Sequence, residues 1–256
     1  MPLAETPDLA TARQTLVREF PHCGAAIDAI LGDLKGRTIK WRPTLLAGSP
    51  GAGKSRLANR IPQVLGLPEP QRFDAAGSSD NAFGGTPRRW SSGEPSIPLE
   101  AVRRSGIANA CVILEEAEKC GTSRVSGRFS DSVLPFLETT TSRVYPDPYI
   151  EAPCDLSQLN YLATANNELD LPAPLRDRFR LLRIPEPGPE HISALSDTLL
   201  KEIVADRGMN PAWATPPLDG DEMEITARLW PGASIRRLRS VLEIIFSRRD
   251  EQALRH

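Results

Sequence analysis

Apolar residues in this chain follow two different rhythms. Between residues 10 and 35, Leu16, Phe20, Ile27, Ile30, Leu31 and Leu34 recur at helical spacing, and FPHCG interrupts them because Pro21 and Gly24 break the pattern. PTLLAG, NACVILEEAEK and LNYLATANN are instead short apolar runs, as expected of strands buried on both faces. SRLANRIPQVLG follows the first of these runs through a glycine loop and reads as a helix. Such alternation predicts an α/β fold, a parallel sheet with flanking helices on both faces. Residues 74–98, rich in Gly, Ser and Pro, predict a long loop excursion, and EPGPE at 186–190 predicts a linker. Beyond the linker, Ile192, Leu195, Leu199 and Ile203 mark a helix that stops near Gly208. Ile235, Leu238, Val241, Leu242 and Ile245 share one face of a last helix, and no strand pattern follows residue 186. The expected organisation is an α/β domain over 1–185, with a helical lead-in over 1–40, and a small all-helical domain over 186–256.

Composition narrows the partners more than the fold. The 256 residues carry a formal charge of −2, which gives no bulk electrostatic case for nucleic acid or an acidic membrane. Aromatics are 5%, too few for an extended base-stacking surface. MPLAETPDLATARQ has acidic residues and no apolar core, so it does not read as a signal peptide, and no apolar run is long enough to span a bilayer. Cys23, Cys111, Cys120 and Cys154 lack C-x-x-C spacing and lie far from the histidines, so buried free thiols are expected rather than a metal site. Reduced thiols suit a cytoplasmic protein.

The chemistry starts at GSPGAGKS, residues 48–55, which fits G-x-x-x-x-G-K-S between a predicted strand and a predicted helix. In that context glycines let backbone N–H groups turn inward around phosphate oxygens, and the helix N-terminus adds partial positive charge. Gly48, Ser49, Pro50, Gly51, Ala52, Gly53, Lys54, Ser55 and Arg56 are therefore candidates to hold a nucleotide, with Lys54 at its phosphates and the Ser55 hydroxyl on Mg²⁺. CVILEE, residues 111–116, is an apolar strand ending in two carboxylates about sixty residues later. Glu115 and Glu116 can supply the acid behind the metal's water shell and the base that orients an attacking water. Asn166 ends the third predicted strand, where an amide can position water against a γ-phosphate; its alternative is a chain-turning role. In PLRDRF, Arg176 and Arg178 are either a solvated cluster or a source of an arginine for a neighbouring subunit's γ-phosphate. Arg236 and Arg237 open the last amphipathic helix.

Together these stretches resemble the AAA+ ATPases, and among them the ATPase module of Lon-type proteases. GSPGAGKS looks like Walker A and VILEEAEK like Walker B. SDSVLPFLE and PDPYIEAPCDLSQLNYLATANNELDLPAPLRDRF resemble the run from the following helix through sensor 1 to the arginine finger, and SIRRL is similar to sensor 2 of a helical lid. The resemblance spans about residues 40–245 in order and approximate spacing. It implies ATP and Mg²⁺ as ligands, Lys54 and Ser55 as Walker A, and Glu115 as the metal-associated acid acting through water. It further implies Glu116 as the catalytic glutamate, Asn166 as sensor 1, Arg178 (rather than Arg176) as the trans-acting finger, and Arg236 as sensor 2. It also implies a ring, usually a hexamer, that threads or remodels a polymer, here a protein, with a partner subunit to be expected.

The chain departs from that pattern in particular places. The metal-associated position is usually Asp and here is Glu115, whose longer side chain shifts the geometry. In DNAFGGTPRRW the usual pore aromatic falls on Ala82, next to Phe83, which is either a polypeptide grip or a core residue; Trp90 is a second candidate. The sequence has no room for a Ser-Lys protease domain after the lid, so no peptidase activity is expected. Ile27, Ile30 and Leu31 are expected to cover the adenine side. Two other readings stay open beside the remodelling ATPase. One is a nucleotide-dependent scaffold or switch with little hydrolysis. The other, not favoured, is a DNA-associated AAA+ protein using Arg88, Arg89, Arg103, Arg104, Arg124 and Arg128 as phosphate contacts. A P-loop kinase fits the asparagine, the arginine pair and the lid less well.

Overall fold

Strands β1 (Thr44–Ala47), β3 (Cys111–Glu115) and β6 (Asn160–Ala165) correspond to the three apolar runs and form the middle of a five-stranded parallel sheet. The computed structural model describes residues 1–75, 83–119, 129–209 and 216–253. Two edge strands complete the sheet, β2 (Gln71–Asp74) beside β3 and β7 (Arg180–Arg183) beside β1, in the order β2-β3-β6-β1-β7. The apolar pattern passes over both edges for a physical reason. Only Phe73 of β2 is buried, and β7 carries an arginine at each end. A short hairpin of β4 (Tyr145–Asp147) and β5 (Ala152–Cys154) lies apart from this sheet.

Helices cover both faces. Side chains alternate along each strand, so Leu46, Cys111, Ile113 and Leu162 join one core with α1 (Leu9–Glu19), α2 (Gly24–Leu31) and α3 (Lys54–Val64). Leu45, Val112, Leu114, Tyr161 and Ala163 join the opposite core with α4 (Ile97–Ser105), α5 (Phe129–Leu137) and α7 (Ala173–Arg178). A four-residue helix, α6 (Thr139–Ser142), follows α5. The lead-in packs as part of this body. Asp8 caps α1 by accepting from the Ala10 and Thr11 N–H groups. The buried Asn109 side chain bonds the Ala4 backbone through both its amide atoms, and Asn160 Oδ1 accepts from the N–H of the fully buried Trp41.

After the linker, the described residues of the second part form helices joined by short loops, with no strand among them. Helices α8 (Ile192–Asp206), α9 (Gly220–Leu229) and α10 (Ile235–Ala253) enclose a third core of Leu195, Leu199, Ile203, Trp230, Leu238 and Leu242. Trp230 satisfies its indole N–H on the Ser234 carbonyl at 2.8 Å, so the largest side chain of this core buries no unpaired donor. Asp219 and Glu222 form a reciprocal cap on α9.

Parallel strands put all carboxyl ends on one edge of the sheet. Ala47 pairs with Ala165, and β6 lies between β1 and β3. The segments leaving β1, β3 and β6 therefore emerge side by side, which is the place where open α/β sheets bind ligands.

Within the segment expected to be a loop, Phe83 is fully buried against Phe73, Phe129 and Phe136, with ring centroids 5.2, 6.1 and 5.4 Å away. The core alternative for Phe83 therefore holds and the gripping one does not. Trp90 is exposed at the tip of the same segment, next to the exposed Arg88 and Arg89. Ala82, Cys120, Arg124 and Arg128 lie outside the described residues. Phe83→Ala is expected to cost about 3–5 kcal/mol by leaving a cavity, read as a lowered urea midpoint; a midpoint equal to that of the parent would place Phe83 outside the core.

Candidate functional site

The glycine loop between β1 and α3 shapes the site. Gly51 and Gly53 adopt φ of +89° and +93°, a region that costs a residue with a Cβ about 1–2 kcal/mol. A Cβ on Gly51 would also come within 2.5 Å of Ser234 Oγ, and one on Gly53 within 2.7 Å of Ile235 Cδ1. These turns carry the chain into α3, which starts at Lys54 with no side chain capping its first N–H groups. A helix start without a cap, beside a glycine turn, is suited to an anion.

Lys54 occupies the centre of this arrangement with only 7% of its surface exposed. Its ammonium donates to Gly48 O at 2.7 Å, Ser49 O at 3.0 Å and Asn166 Oδ1 at 3.0 Å. Burial pulls its pKa down, while the nearby Glu118 and Glu116 carboxylates pull it back up. Gly48 and Ser49 thus contribute carbonyls behind the lysine, and the buried Ala52 turns its carbonyl to His22 Nε2 at 3.0 Å. That contact makes Nε2 the donor and leaves the buried Nδ1 without a partner. Burial holds the His22 imidazole below its ordinary pKa.

The chain leaving β3 brings acids to the same place. Glu116 has φ of +50°, an uncommon conformation for a residue with a side chain, and its N–H donates to Thr164 Oγ1 at 3.2 Å. Residue strain of this kind is often retained at functional sites. The turn directs Glu116 and Glu118 into a cavity of about 400 Å³ that is also lined by Pro50, Gly51, Gly53, Lys54, Ser55, Arg56, Lys119, Thr164, Ala165, Asn166, Ile235 and Arg236. Four cationic side chains (Lys54, Arg56, Lys119 and Arg236) face two carboxylates there, a balance suited to a polyphosphate. Lys119 holds Glu116 Oε2 at 2.8 Å.

Glu115 departs from expectation. It does not line the cavity; its Oε1 accepts from Arg72 Nε at 2.8 Å and Nη2 at 2.7 Å, on the neighbouring strand β2. The additional methylene of glutamate gives the carboxylate the reach to make that pair. Ile27, Ile30 and Leu31 also depart: all three are packed into the core under α3 and none lines the cavity. Arg178 lies outside its own chain's cavity, half-exposed at the end of α7, with Nε donating to Glu138 at 2.6 Å. Arg176 and Arg237 do not line the cavity either. Arg103 and Arg104 are both bound to Glu100 at 2.6 Å, which weakens their case as phosphate contacts for DNA.

The helical part closes directly on the glycine loop. The Ile235 N–H donates to Gly51 O at 2.9 Å, and Arg56 bridges to Glu202 of α8 at 2.6 Å while stacking over Phe20 at 4.5 Å. Glu118, Thr164, His22 and Ile235 are site residues that the sequence motifs do not assign. Glu118 lies in VILEEAEK two residues past Glu116, Thr164 in LNYLATANN and Ile235 in SIRRL, each beside a motif position; His22 lies in none of these stretches.

No protein-family model matches the sequence. Curated relatives do. The chain is 32% identical over 185 residues to a Lon protease of Desulfovibrio desulfuricans, covering 70% of this chain and 21% of the relative. It is 27% identical over 249 residues to a mitochondrial Lon protease homolog of Phaeodactylum tricornutum, covering 94% and 28%. Among solved structures, a closed-state cryo-EM reconstruction of Hsp104 with ATPγS and FITC-casein superposes with a TM-score of 0.72 at 15% identity, over 96% of this chain and 48% of that one. The chain is a Lon-like AAA+ module. Its fold is the P-loop α/β fold of that family. The module spans between about a fifth and three tenths of the length of these two Lon relatives.

Among the described residues, no group of three or more His, Cys, Asp or Glu could hold a metal ion directly, and no helix is long and apolar enough to cross a membrane. Cys23 and Cys111 are buried free thiols, with burial pushing Cys23 up to about 12, and Cys154 is half-buried and also free. The Lon-like module depends on the backbone freedom of its glycine loop. Gly53→Ala is expected to lower Tm by roughly 2–8 °C, from about 1–2 kcal/mol of left-handed strain in a chain of this size. Calorimetry that finds an unchanged Tm would show that this turn is not strained as described.

Proposed function

We propose that this module hydrolyses ATP and, as a ring with copies of itself, couples the hydrolysis to remodelling or threading a protein. The observation that carries the reading is the convergence of Lys54, Ser55, Glu116, Asn166 and Arg236 on one predominantly cationic cavity, at the carboxyl ends of β1, β3 and β6. In this reading, the N-terminus of α3 and Lys54 bind the β- and γ-phosphates, and Arg236 reaches them from the lid. Ser55, which lines the cavity, would hold Mg²⁺ through its hydroxyl, and the bound ion would neutralise phosphate charge. No direct metal contact is assigned to Glu115, because its Oε1 is paired with Arg72 and it does not line the cavity.

Glu116 takes the proton of the attacking water, and Asn166 positions that water in line with the γ-phosphate. Lys119 must release Glu116 for this step, so the pair at 2.8 Å is a contact the reaction exchanges. Arg178 acts on the neighbouring chain's γ-phosphate, which fits its place outside its own cavity. A hexamer, a protein substrate and a partner subunit that selects it complete the proposal, by likeness to the Lon family. A nucleotide-dependent switch with little hydrolysis is the second reading. The Glu115–Arg72 pair favours it, since it withdraws one acid from the cavity.

Two substitutions test the first reading. Glu116→Gln is expected to retain ATP binding and lose turnover. Arg178→Ala is expected to bind ATP normally and turn over about 10³-fold more slowly or worse. Normal turnover in Arg178→Ala would refute a shared site, and wild-type turnover no higher than that of Glu116→Gln would favour the switch.

A further inference from the structure

Glu118 belongs to neither expected acid role, yet it makes the most specific contacts of any carboxylate in the cavity. Its Oε1 accepts from the Asn166 backbone N–H at 2.9 Å and from Asn166 Nδ2 at 2.7 Å. The other end of the same amide, Oδ1, accepts from Lys54 Nζ at 3.0 Å. An ionised carboxylate has only acceptors and an ammonium only donors. An amide between them therefore has one allowed orientation. With Glu118 removed, neither the backbone N–H nor the Nδ2 group keeps this acceptor, and rotation of the amide is no longer opposed from that side.

We infer that Glu118 is the positioning residue of the site: it fixes the amide of Asn166 so that the oxygen faces Lys54 and the phosphate end of the cavity. This rests on the ATP-hydrolysis reading for its consequence, though not for its geometry. Glu118 is brought to Asn166 by the left-handed turn at Glu116, whose following 3-10 turn spans Ala117–Lys119. Its other oxygen, Oε2, is buried and has no partner, so the group is held in place by Asn166 rather than by a wider network. Misplacing a positioning group by about 1 Å can cost ~10²-fold in rate.

The test uses the whole chain and two independent readouts. The first is the side-chain amide signal of Asn166 in ¹⁵N–¹H spectra, assigned by its loss in Asn166→Ala. Glu118→Ala is expected to shift it and speed its solvent exchange; Glu118→Gln, which keeps an acceptor oxygen, is expected to leave it near its parent position. The second is ATP turnover at saturating ATP. Glu118→Ala and Asn166→Ala are expected each to slow it by ~10²-fold, the double variant by little more than either, and Glu118→Gln by less than tenfold, with KM for ATP within about threefold throughout. An amide signal indifferent to Glu118→Ala overturns the inference whether or not the protein hydrolyses ATP. So do single effects that multiply in the double variant. A shifted amide signal in a protein with no turnover at all would instead refute the hydrolysis reading and leave the positioning contact standing.

Discussion

A buried ammonium group is the constraint on which the site depends. Lys54 is 7% exposed, and a cation removed from water must be surrounded by acceptors. Its acceptors come from the loop after β1, through Gly48 and Ser49, and from the segment after β6, through Asn166. Asn166 in turn is held by Glu118, from the segment after β3. Satisfying one charge thus ties together the carboxyl ends of the three central strands. The strand order puts β6 between β1 and β3, so these ties span neighbours and not the width of the sheet.

The same loop is the seat of the helical lid. Gly51 accepts from the first N–H of α10, and Arg56, two residues past Lys54, bridges to Glu202 on α8. The second contact is partly exposed and contributes modestly to stability by itself. Its interest is positional: the residues proposed to read a phosphate are continuous with those that fix the lid. Under the proposed function, a ligand that binds the loop differently in two positions of this helical part would shift the balance between them by its difference in affinity.

Much of this was legible in the sequence, and the gaps have causes. Consecutive apolar residues announced β1, β3 and β6 because these strands are buried on both faces. β2 and β7 gave no such signal; as edges they bury little, and Arg72, Arg180 and Arg183 interrupt any apolar run. Lys54, Ser55, Glu116, Asn166 and Arg236 were visible as motifs, and the structure brings all five to one cavity. Glu118 sits inside a motif, but its role was not legible, because its place depends on the positive φ of Glu116, which no pattern of residue types encodes. Phe83 was ambiguous for a similar reason. Its burial is decided by Phe73, on the edge strand the apolar pattern misses, and by Phe129 and Phe136, which are distant in sequence. The fate of Glu115 turned on a partner, Arg72, in a strand the sequence did not reveal.

The central claim is that Lys54 and the loop around it form a nucleotide site. Calorimetric titration of the whole chain with Mg·ATPγS tests it most directly, with Lys54→Ala in parallel. The account predicts one nucleotide per chain for the parent and at least a tenfold weaker site in the variant, a difference of about 1.4 kcal/mol or more. Equal affinities, or no binding by the parent, would contradict it.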